Sequence, residues 1–523
     1  MDQHHSFILL LSLEYLSPVF SGNGTYARSI VRGLLQQGRR VVVISGRREN
    51  APFSTSDDAP GSAIIDVPLP VAKWGRLDRD CAWSEFASGC ASDRVVSAVQ
   101  RFAQEGVNIS SVMVVDWSAY PAWQALQSSL QRASGYGSRQ TIRSCYLNFR
   151  IFTTSTDLHK PIDGGEEDSG GDLGFYQRME TRAIRGSTVS VALCRRDALH
   201  LAALGLGVCP NSSRPIYSSK MSSQELHLPE FPSTLRFPDV KIVLPPLRGD
   251  LAALAQDSQD SSKINKWNAE RIGYDDPALD KSLQRCLLTS VVRLSREKST
   301  HVFAEAVRDL SDFLQAKGIR PFLCGSAPDK DYATSIRTII SNSHPTPLLV
   351  SAFLGPSDMA AIFSRSCVNV HPALYDAYGM KIVEAAAMGT PSIVHTTQHE
   401  KSGEAAALFD YTIRGAPLFN LQKLIENTNI HNDEALGRKL VEISNALPTV
   451  GALDLLAPDP QNAAVFLIDL SGTSESIAKQ LRDILSNVNG LERISALAKE
   501  RALSWREEDN GKALADICVG SHS

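Results

Sequence analysis

One continuous stretch decides the fold: Cys367-Val-Asn-Val-His-Pro-Ala-Leu-Tyr-Asp-Ala-Tyr-Gly-Met-Lys-Ile-Val-Glu-Ala-Ala-Ala-Met-Gly-Thr-Pro391. An apolar run of strand length ends at Pro372, a short loop follows, and a helical pattern begins near Gly379. In an open parallel α/β sheet, ligands bind beyond the carboxyl ends of the strands, where the next helix offers unpaired N–H groups. The stretch therefore predicts an α/β fold with a ligand site on this loop.

Two carboxylates flank the predicted start of the helix. Asp376 lies on the loop and Glu384 lies about one turn into the helix, so both could face the same bound molecule. Gly379, between them, lets a ligand approach the backbone closely. The same residues also fit a second interpretation, an amphipathic helix in which Glu384 is solvated and Asp376 acts as a cap.

The rest of the chain repeats one pattern in each half. Phe7–Leu13, Tyr26–Gln37 and Arg40–Ser45 read as strand, helix and strand, and a second alternation begins with a strand at Cys286–Val292. With 523 residues the chain exceeds the roughly 250–300 residues at which single cores stop growing. We therefore predict two doubly wound parallel-sheet domains, at residues 1–250 and 285–502, joined by a polar linker at 251–284.

Composition excludes several classes of protein. Apolar residues make up 43% of the chain, the formal charge is -4 and the pI is near 6.3, which gives no general basic field for nucleic acid. No stretch approaches the roughly 20 apolar residues of a transmembrane helix. The nine cysteines are scattered without CxxC pairs, which favours a reducing compartment, and we expect a cytoplasmic protein.

The quoted stretch resembles the donor-site signature of the family-4 retaining glycosyltransferases (glycosyl transferases group 1). Asp376 and Glu384 are separated by seven residues and are followed by Gly389-Thr-Pro391. The resemblance implies the GT-B fold, in which two Rossmann-like domains face a central cleft. It also implies that the second domain binds a nucleotide-diphosphate sugar, that the first binds the acceptor, and that a terminal helix at 503–523 returns to the first domain.

A second segment carries the same resemblance. Val291-Val-Arg-Leu-Ser-Arg-Glu-Lys298 resembles the family's Arg-Leu-x-x-x-Lys element, in which Arg293 and Lys298 would hold the donor diphosphate. Negative charge develops on that leaving group as the glycosidic bond breaks, so two positioned cations lower the barrier without a metal. We expect no cofactor other than the donor itself. The alternative is an exposed turn between a strand and a helix.

The resemblance assigns further residues to donor binding. Gly379 and Met380 would meet the donor at the start of the helix, while Ser21-Gly-Asn-Gly24 matches the family's glycine-rich loop in the first domain. Gly22 and Gly24 would allow close backbone approach to phosphates. A turn of this composition also forms without any ligand.

The chain departs from the family's pattern at three places. Asp376 stands where glutamate is usual, so the charge is withdrawn by about one methylene. The first-domain loop reads Val114-Val-Asp116, with valine where the family often has histidine, and we nominate no general base. Residues at about 404–448 form an apparent insertion in the second domain.

Three histidines, His371, His395 and His399, lie near the signature, but their spacing fits no zinc pattern, and we assign no metal. The leading hypothesis is therefore retaining transfer of a sugar from a nucleotide-diphosphate sugar to an acceptor that the residues do not identify. Two alternatives stay open: a disaccharide synthase or phosphorylase on the same fold, and a non-catalytic sugar-nucleotide-binding homologue.

Overall fold

The computed structural model describes residues 6–16, 22–48, 62–70, 82–104, 108–133, 142–151, 173–210, 239–257, 287–351, 354–396, 408–410, 414–428, 430, 432–459 and 462–520. The chain folds into two compact units. The first unit comprises residues 1–245, 402–447 and 507–523, and the second comprises residues 246–401 and 448–506.

Strands and helices alternate along the first half of the chain. In chain order they are β1 (Ser6–Ser12), α1 (Gly22–Gln36), β2 (Arg40–Arg48), β3 (Ser62–Leu69), α2 (Ala82–Cys90), α3 (Asp93–Gln104), β4 (Asn108–Val115), α4 (Tyr120–Ala133), β5 (Arg143–Leu147), α5 (Leu173–Gly186), β6 (Val189–Ala192), α6 (Arg195–Gly205), β7 (Val240–Ile242) and α7 (Gly249–Asp257).

The second half resumes the alternation. It contains β8 (Leu287–Val291), α8 (Thr300–Asp309), α9 (Ser311–Lys317), β9 (Arg320–Cys324), α10 (Lys330–Ser341), β10 (Leu348–Val350), α11 (Pro356–Ser364), β11 (Ser366–His371), α12 (Met380–Ala387), β12 (Ser392–His395), β13 (Phe409–Asp410), β14 (Leu418–Phe419), α13 (Leu421–Thr428), α14 (Asp433–Ser444), α15 (Leu453–Leu456), β15 (Phe466–Ile468), α16 (Ser474–Ser486), α17 (Val488–Leu503) and α18 (Glu507–Val519).

Each unit is built on one parallel sheet. The first sheet has seven strands in the order β3-β2-β1-β4-β5-β6-β7, and the second has six in the order β10-β9-β8-β11-β12-β15. Both orders reverse direction once, between β1 and β4 in the first sheet and between β8 and β11 in the second, as in doubly wound nucleotide-binding folds. The predicted fold class, two Rossmann-like parallel-sheet domains, is confirmed.

Sequence pattern explains why these elements pack as they do. The central strand β1 is apolar from Phe7 to Leu11, and these five residues are each at most 3% exposed, because helices cover both faces of a parallel sheet. In the second unit α16 buries Ile477, Ala478 and Leu481, which recur at helical spacing on one face. These side chains join the core of the second unit, which also contains Val368 and Val370 of β11, the strand that precedes the Asp376 loop.

The segment predicted as an insertion in the second domain belongs instead to the first unit. Residues 402–447 are grouped there because α14 packs on α6. His200 Nε2 in α6 lies 2.7 Å from Ser444 Oγ in α14. Val208, just after α6, packs against Gly437 of α14, where a Cβ would come within 2.6 Å of the valine side chain. Burial, more than the Arg196 charge, lowers the pKa of His200 to about 3, so the contact uses a neutral imidazole.

The terminal helix α18 also lies in the first unit, where it crosses α1. Gly33 and Gly511 let the backbones approach, since a Cβ on Gly33 would come within 2.2 Å of the Glu507 carbonyl oxygen. Arg32 Nη2 is 2.6 Å from Glu507 Oε1, and Arg32 Nε also bonds to the same carboxylate. The paired guanidinium explains how Glu507 is 3% exposed.

Part of the predicted linker at 251–284 is helical. Its first residues belong to α7, a helix of the second unit that packs on α11 and α12 because Leu251 and Ala255 are buried on one face. Residues 258–284 lie outside the described ranges. No helix within those ranges is long and apolar enough to cross a bilayer.

Candidate active site

The site is built on the two loops that leave β8 and β11, the neighbouring strands at which the second sheet reverses its order. The loop after β8 carries Lys298, and the loop after β11 carries Asp376. Lys298 Nζ lies 2.8 Å from Asp376 Oδ2. Two residues that are far apart in sequence therefore form an ion pair at the crevice where doubly wound folds bind their ligands.

Asp376 is fixed by its side chain and by its backbone. Oδ2 receives a second hydrogen bond, from His371 Nε2 at 3.1 Å. The Asp376 N–H donates to the Thr449 carbonyl at 3.1 Å, and its carbonyl accepts from the Gly451 N–H at 3.1 Å. Among the described residues nothing bonds to Oδ1, so one carboxylate oxygen remains available as an acceptor.

These contacts set the charge of Asp376. Burial by itself would raise the pKa of this carboxyl, but the Lys298 ammonium and the hydrogen bond from His371 outweigh burial and hold the pKa well below its usual range. Asp376 is therefore ionised at neutral pH, and the pair presents an anion and a cation side by side.

The loop that carries Lys298 has a strained backbone. Residues Arg296–Lys298 form a short 3-10 helix, and Ser299 follows in the left-handed region with φ 47° and ψ 38°. A residue other than glycine seldom adopts this conformation, and such strain is found mainly at functional sites. The turn sends the chain into α8 directly after Lys298.

Arg293 is placed at the same loop but not in the same contact. Its Nη1 lies 3.3 Å from Glu297 Oε1, and its side chain is 41% exposed. Among the described residues it bonds to Glu297 rather than to Asp376 or Glu384. The structure thus shows an exposed guanidinium that pairs with a carboxylate of its own loop.

Glu384 is buried inside the second unit. Its side chain is 3% exposed, Lys381 Nζ lies 2.6 Å from Oε2, and Arg248 Nη1 lies 3.8 Å from Oε1. The interpretation of Glu384 as a solvated residue on an amphipathic helix is therefore wrong. Asp376 does not cap the helix either, because the residue at the N-cap is Gly379.

Gly379 and Met380 form the start of α12, as the sequence predicted. Gly379 has φ 84°, and a Cβ on it would come within 2.7 Å of Ile382 Cδ1 and 3.3 Å of Val450 Cγ1, so only glycine fits. Met380 is the first residue of the helix, where backbone N–H groups lack intrahelical partners. This end of α12 can receive an anionic oxygen.

Gly22 and Gly24 lie in the first unit, and they are helical rather than part of a loop. The helix α1 begins at Gly22, four residues before the predicted start at Tyr26, because Gly-Asn-Gly forms its first turn. Residues 17–21 lie outside the described ranges. Asn23 Nδ2 lies 3.5 Å from Oδ2 of Asp116, the carboxylate that follows β4 at the point where the first sheet reverses its order.

Three contributors were not predicted. Arg248 precedes α7 and reaches Glu384, while Thr449 and Gly451 hold the Asp376 backbone from a segment that follows the residues at 402–447. No local pattern marks them, since each acts through a long-range contact.

The histidines near the signature have separate roles. His371 lies at a strand end, where a packed or hydrogen-bonded imidazole is expected, and its Nε2 bonds to Asp376 five residues later. His395 Nδ1 accepts from the Leu470 N–H, and His399 lies outside the described ranges.

Comparison with known proteins agrees with this geometry. Residues 285–415, roughly a quarter of the chain, match the family model "Glycosyl transferases group 1", and the match includes both site loops and α12. The resemblance predicted from the sequence is thus confirmed over these residues. No curated protein sequence matches the chain.

Several solved structures share the whole architecture at low identity. They include a sucrose-phosphate synthase from Thermosynechococcus elongatus (13% identity, TM-score 0.60, 98% of each chain covered), an α,α-trehalose-phosphate synthase (UDP-forming) from Burkholderia xenovorans in complex with glucose-6-phosphate (12%, 0.57, 98% of this chain and 100% of that one), and an Anabaena protein in complex with UDP and glucose (12%, 0.52, 99% and 100%). Identities this low show the fold alone, which is the GT-B fold of glycosyltransferases.

Proposed function

We propose that this chain is a glycosyltransferase that moves a sugar from a nucleotide-diphosphate sugar to an acceptor with retention of configuration and without a metal. The observation that carries the proposal is the Lys298–Asp376 pair, 2.8 Å apart at the reversal point of the second sheet, inside the residues that match the family model. A cation for the leaving group and a carboxylate for sugar hydroxyls lie side by side there.

For each group of a nucleotide-diphosphate sugar, the chain offers a residue that could bind it. Lys298 and the exposed Arg293 supply positive charge for the diphosphate, and the N–H groups at Gly379 and Met380 supply hydrogen-bond donors. Asp376 Oδ1 accepts from a sugar hydroxyl, and Glu384 accepts from the ribose. Gly22 and Gly24, in the first turn of α1, would approach the donor phosphates through their backbone.

Charge stabilisation is the main catalytic contribution in this proposal. As the bond between the sugar and the diphosphate breaks, negative charge grows on the phosphate oxygens, and Arg293 and Lys298 stabilise that charge more in the transition state than in the ground state. The departing oxygen takes the acceptor's proton, so the reaction needs no enzymic base. The acceptor binds to the first unit.

A disaccharide synthase is the second candidate. Two structures with the same fold are described as a sucrose-phosphate synthase and a UDP-forming trehalose-phosphate synthase, both of which are synthases rather than phosphorylases. A non-catalytic sugar-nucleotide-binding homologue is the third candidate, and it is favoured by one observation: Arg293, Lys298 and Lys381 all pair with the chain's own carboxylates. Nucleotide release separates this homologue from an enzyme.

The test is a panel of UDP-, GDP- and ADP-sugars, assayed for nucleotide release and for thermal stabilisation of the full chain. We expect one nucleotide class to stabilise the protein and to be released, with Arg293→Ala and Glu384→Gln each lowering release by at least about tenfold. Arg308→Ala is the matched control, because Arg308 is 48% exposed and pairs with Asp309 as Arg293 pairs with Glu297. Binding without release would support the non-catalytic homologue, and no binding at all would refute the donor site.

A further inference from the structure

His371 is a buried residue whose side chain, within the described part of the chain, hydrogen-bonds to the site carboxylate of Asp376. It is the last residue of β11, its side chain is 3% exposed, and its Nε2 lies 3.1 Å from Asp376 Oδ2. Its Nδ1 is buried and has no partner among the described residues. Burying an imidazole with one nitrogen unpaired destabilises a fold. The bond from the other nitrogen to Asp376 is therefore the feature that could account for a histidine at this position.

The bond has a defined direction. Asp376 is ionised and can only accept, so Nε2 carries the hydrogen and donates it to Oδ2. Lys298 donates to the same oxygen. The two donors together fix the rotation of the carboxylate and leave Oδ1 as its free oxygen.

His371 is well placed to act as an anchor because it lies on the sheet. It pairs with Val394 of β12 in the parallel register, whereas Asp376 lies on the loop beyond. A carboxylate on a loop would otherwise sample several rotamers, and a supporting hydrogen bond from a rigid strand reduces that freedom.

We infer that His371 is a positioning residue: it holds Asp376 Oδ2 so that Oδ1 is presented to a hydroxyl of the donor sugar. This inference rests on the proposed function, because it names the ligand of Oδ1 as the transferred sugar. His371 itself touches neither substrate nor reacting atoms.

A matched histidine lies on the neighbouring strand. His395 ends β12 as His371 ends β11, and its side chain is 4% exposed. Its Nδ1 accepts from the Leu470 N–H, and it makes no described contact with Asp376. Replacing His395 therefore removes an equally buried imidazole without touching the site carboxylate.

The experiment uses the full chain with the donor identified by the panel. His371→Leu removes the N–H, His371→Gln keeps a donor near the position of Nε2, and His395→Leu is the control. We expect His371→Leu to lower kcat by about tenfold, as loss of one hydrogen bond to a charged group predicts. His371→Gln should recover most of the loss, His395→Leu should keep the parent kcat below its melting temperature, and binding of the free nucleoside diphosphate should change by less than about threefold in all of them.

A double-mutant cycle completes the test. In an Asp376→Ala background, measured by single-turnover assay, His371→Leu should change the rate by less than about twofold, because the group it positions has gone. A full tenfold loss in that background, an unchanged kcat in His371→Leu, or an equal loss in His395→Leu would each overturn the inference while leaving the proposed function standing. A parent chain that turns over no donor would overturn both, and it is recognised before any variant is compared.

Discussion

The two sheets reverse their strand order in the same way, yet the carboxylates at the two reversal points are in opposite electrostatic states. In the second sheet Asp376 is paired with Lys298 and accepts from His371, and its pKa lies well below the usual range. In the first sheet Asp116 has no cation within hydrogen-bond distance among the described residues, and burial raises its pKa to about 7, against the hydrogen bond from the Trp117 N–H and the charge of Arg150.

The difference shows that sheet topology sets the position of a loop, whereas the neighbouring side chains set the pKa of the carboxyl on that loop. Burial raises the pKa of both carboxyls, but Asp376 has a cation in hydrogen-bond contact, Lys298, whereas the charge of Arg150 does not offset burial at Asp116. Asp116 is also strained, with φ 65° in a residue other than glycine. At neutral pH the second edge therefore carries an ion pair, whereas the first carries a carboxyl that is only partly ionised.

Lys298 causes the electrostatic difference between the two sheet edges, and its replacement should have the largest effect on activity. Lys298→Met keeps the length of the side chain but removes the charge, so the partly buried carboxylate of Asp376 loses the cation that is hydrogen-bonded to it. We expect nucleotide release from the donor to fall by about 100-fold. The rate is measured with saturating donor, and the pH profile is recorded because the pKa of Asp376 should rise.

Lys330→Met, which changes an exposed lysine at the start of α10 in the same unit, is the control and should keep the parent rate. A Lys298→Met rate within about threefold of the parent would show that the pair does not carry the reaction.

The two carboxylates should also give opposite pH dependences of stability. The raised pKa of Asp116 means that its contribution is present below about pH 4 and is lost as the pH rises through about 7. Asp116→Asn removes this titration, and asparagine tolerates positive φ. At pH 8 the variant should exceed the parent in free energy of unfolding by roughly 1–3 kcal/mol, measured by urea titration.

Asp376 provides the internal comparison for that measurement. Its depressed pKa gives a contribution that is present above the ordinary pKa of about 4 and is lost as the pH falls, so Asp376→Asn should flatten the acid side of the profile instead. Parallel profiles for the two variants would contradict the contrast between the edges.

The smallest expected effect concerns the backbone beside Lys298. Ser299 adopts φ 47°, a conformation that glycine reaches without steric cost, and its side chain makes no cap hydrogen bond. Ser299→Gly should therefore stabilise the chain by about 0.5–1 kcal/mol in chemical denaturation. Gly318→Ser is the reverse control, since Gly318 has φ 65° and a Cβ there would meet no atom within 4 Å, and it should destabilise by a similar amount.

Much of the fold follows from local sequence, for a physical reason. The periodicity of apolar residues requires buried strands and one-sided helices, so the stretch ending at His371 and the helix from Met380 appear where the pattern predicts them. The pairing of Lys298 with Asp376 was not predicted, because it depends on β8 and β11 lying next to each other in the folded sheet. The early start of α1 at Gly22 was missed, because glycine is a weak helix former that a tertiary context overrides.

The sequence by itself determined the two parallel-sheet domains, the loops that carry the charges and the glycine at the start of α12, since these depend on periodicity and on backbone conformation. Only the tertiary structure decided the unit to which residues 402–447 belong, the burial of Glu384 between Lys381 and Arg248, and the opposite states of Asp376 and Asp116. Each of those depends on partners distant in sequence, and the sign of a buried charge's pKa shift depends on which partners arrive.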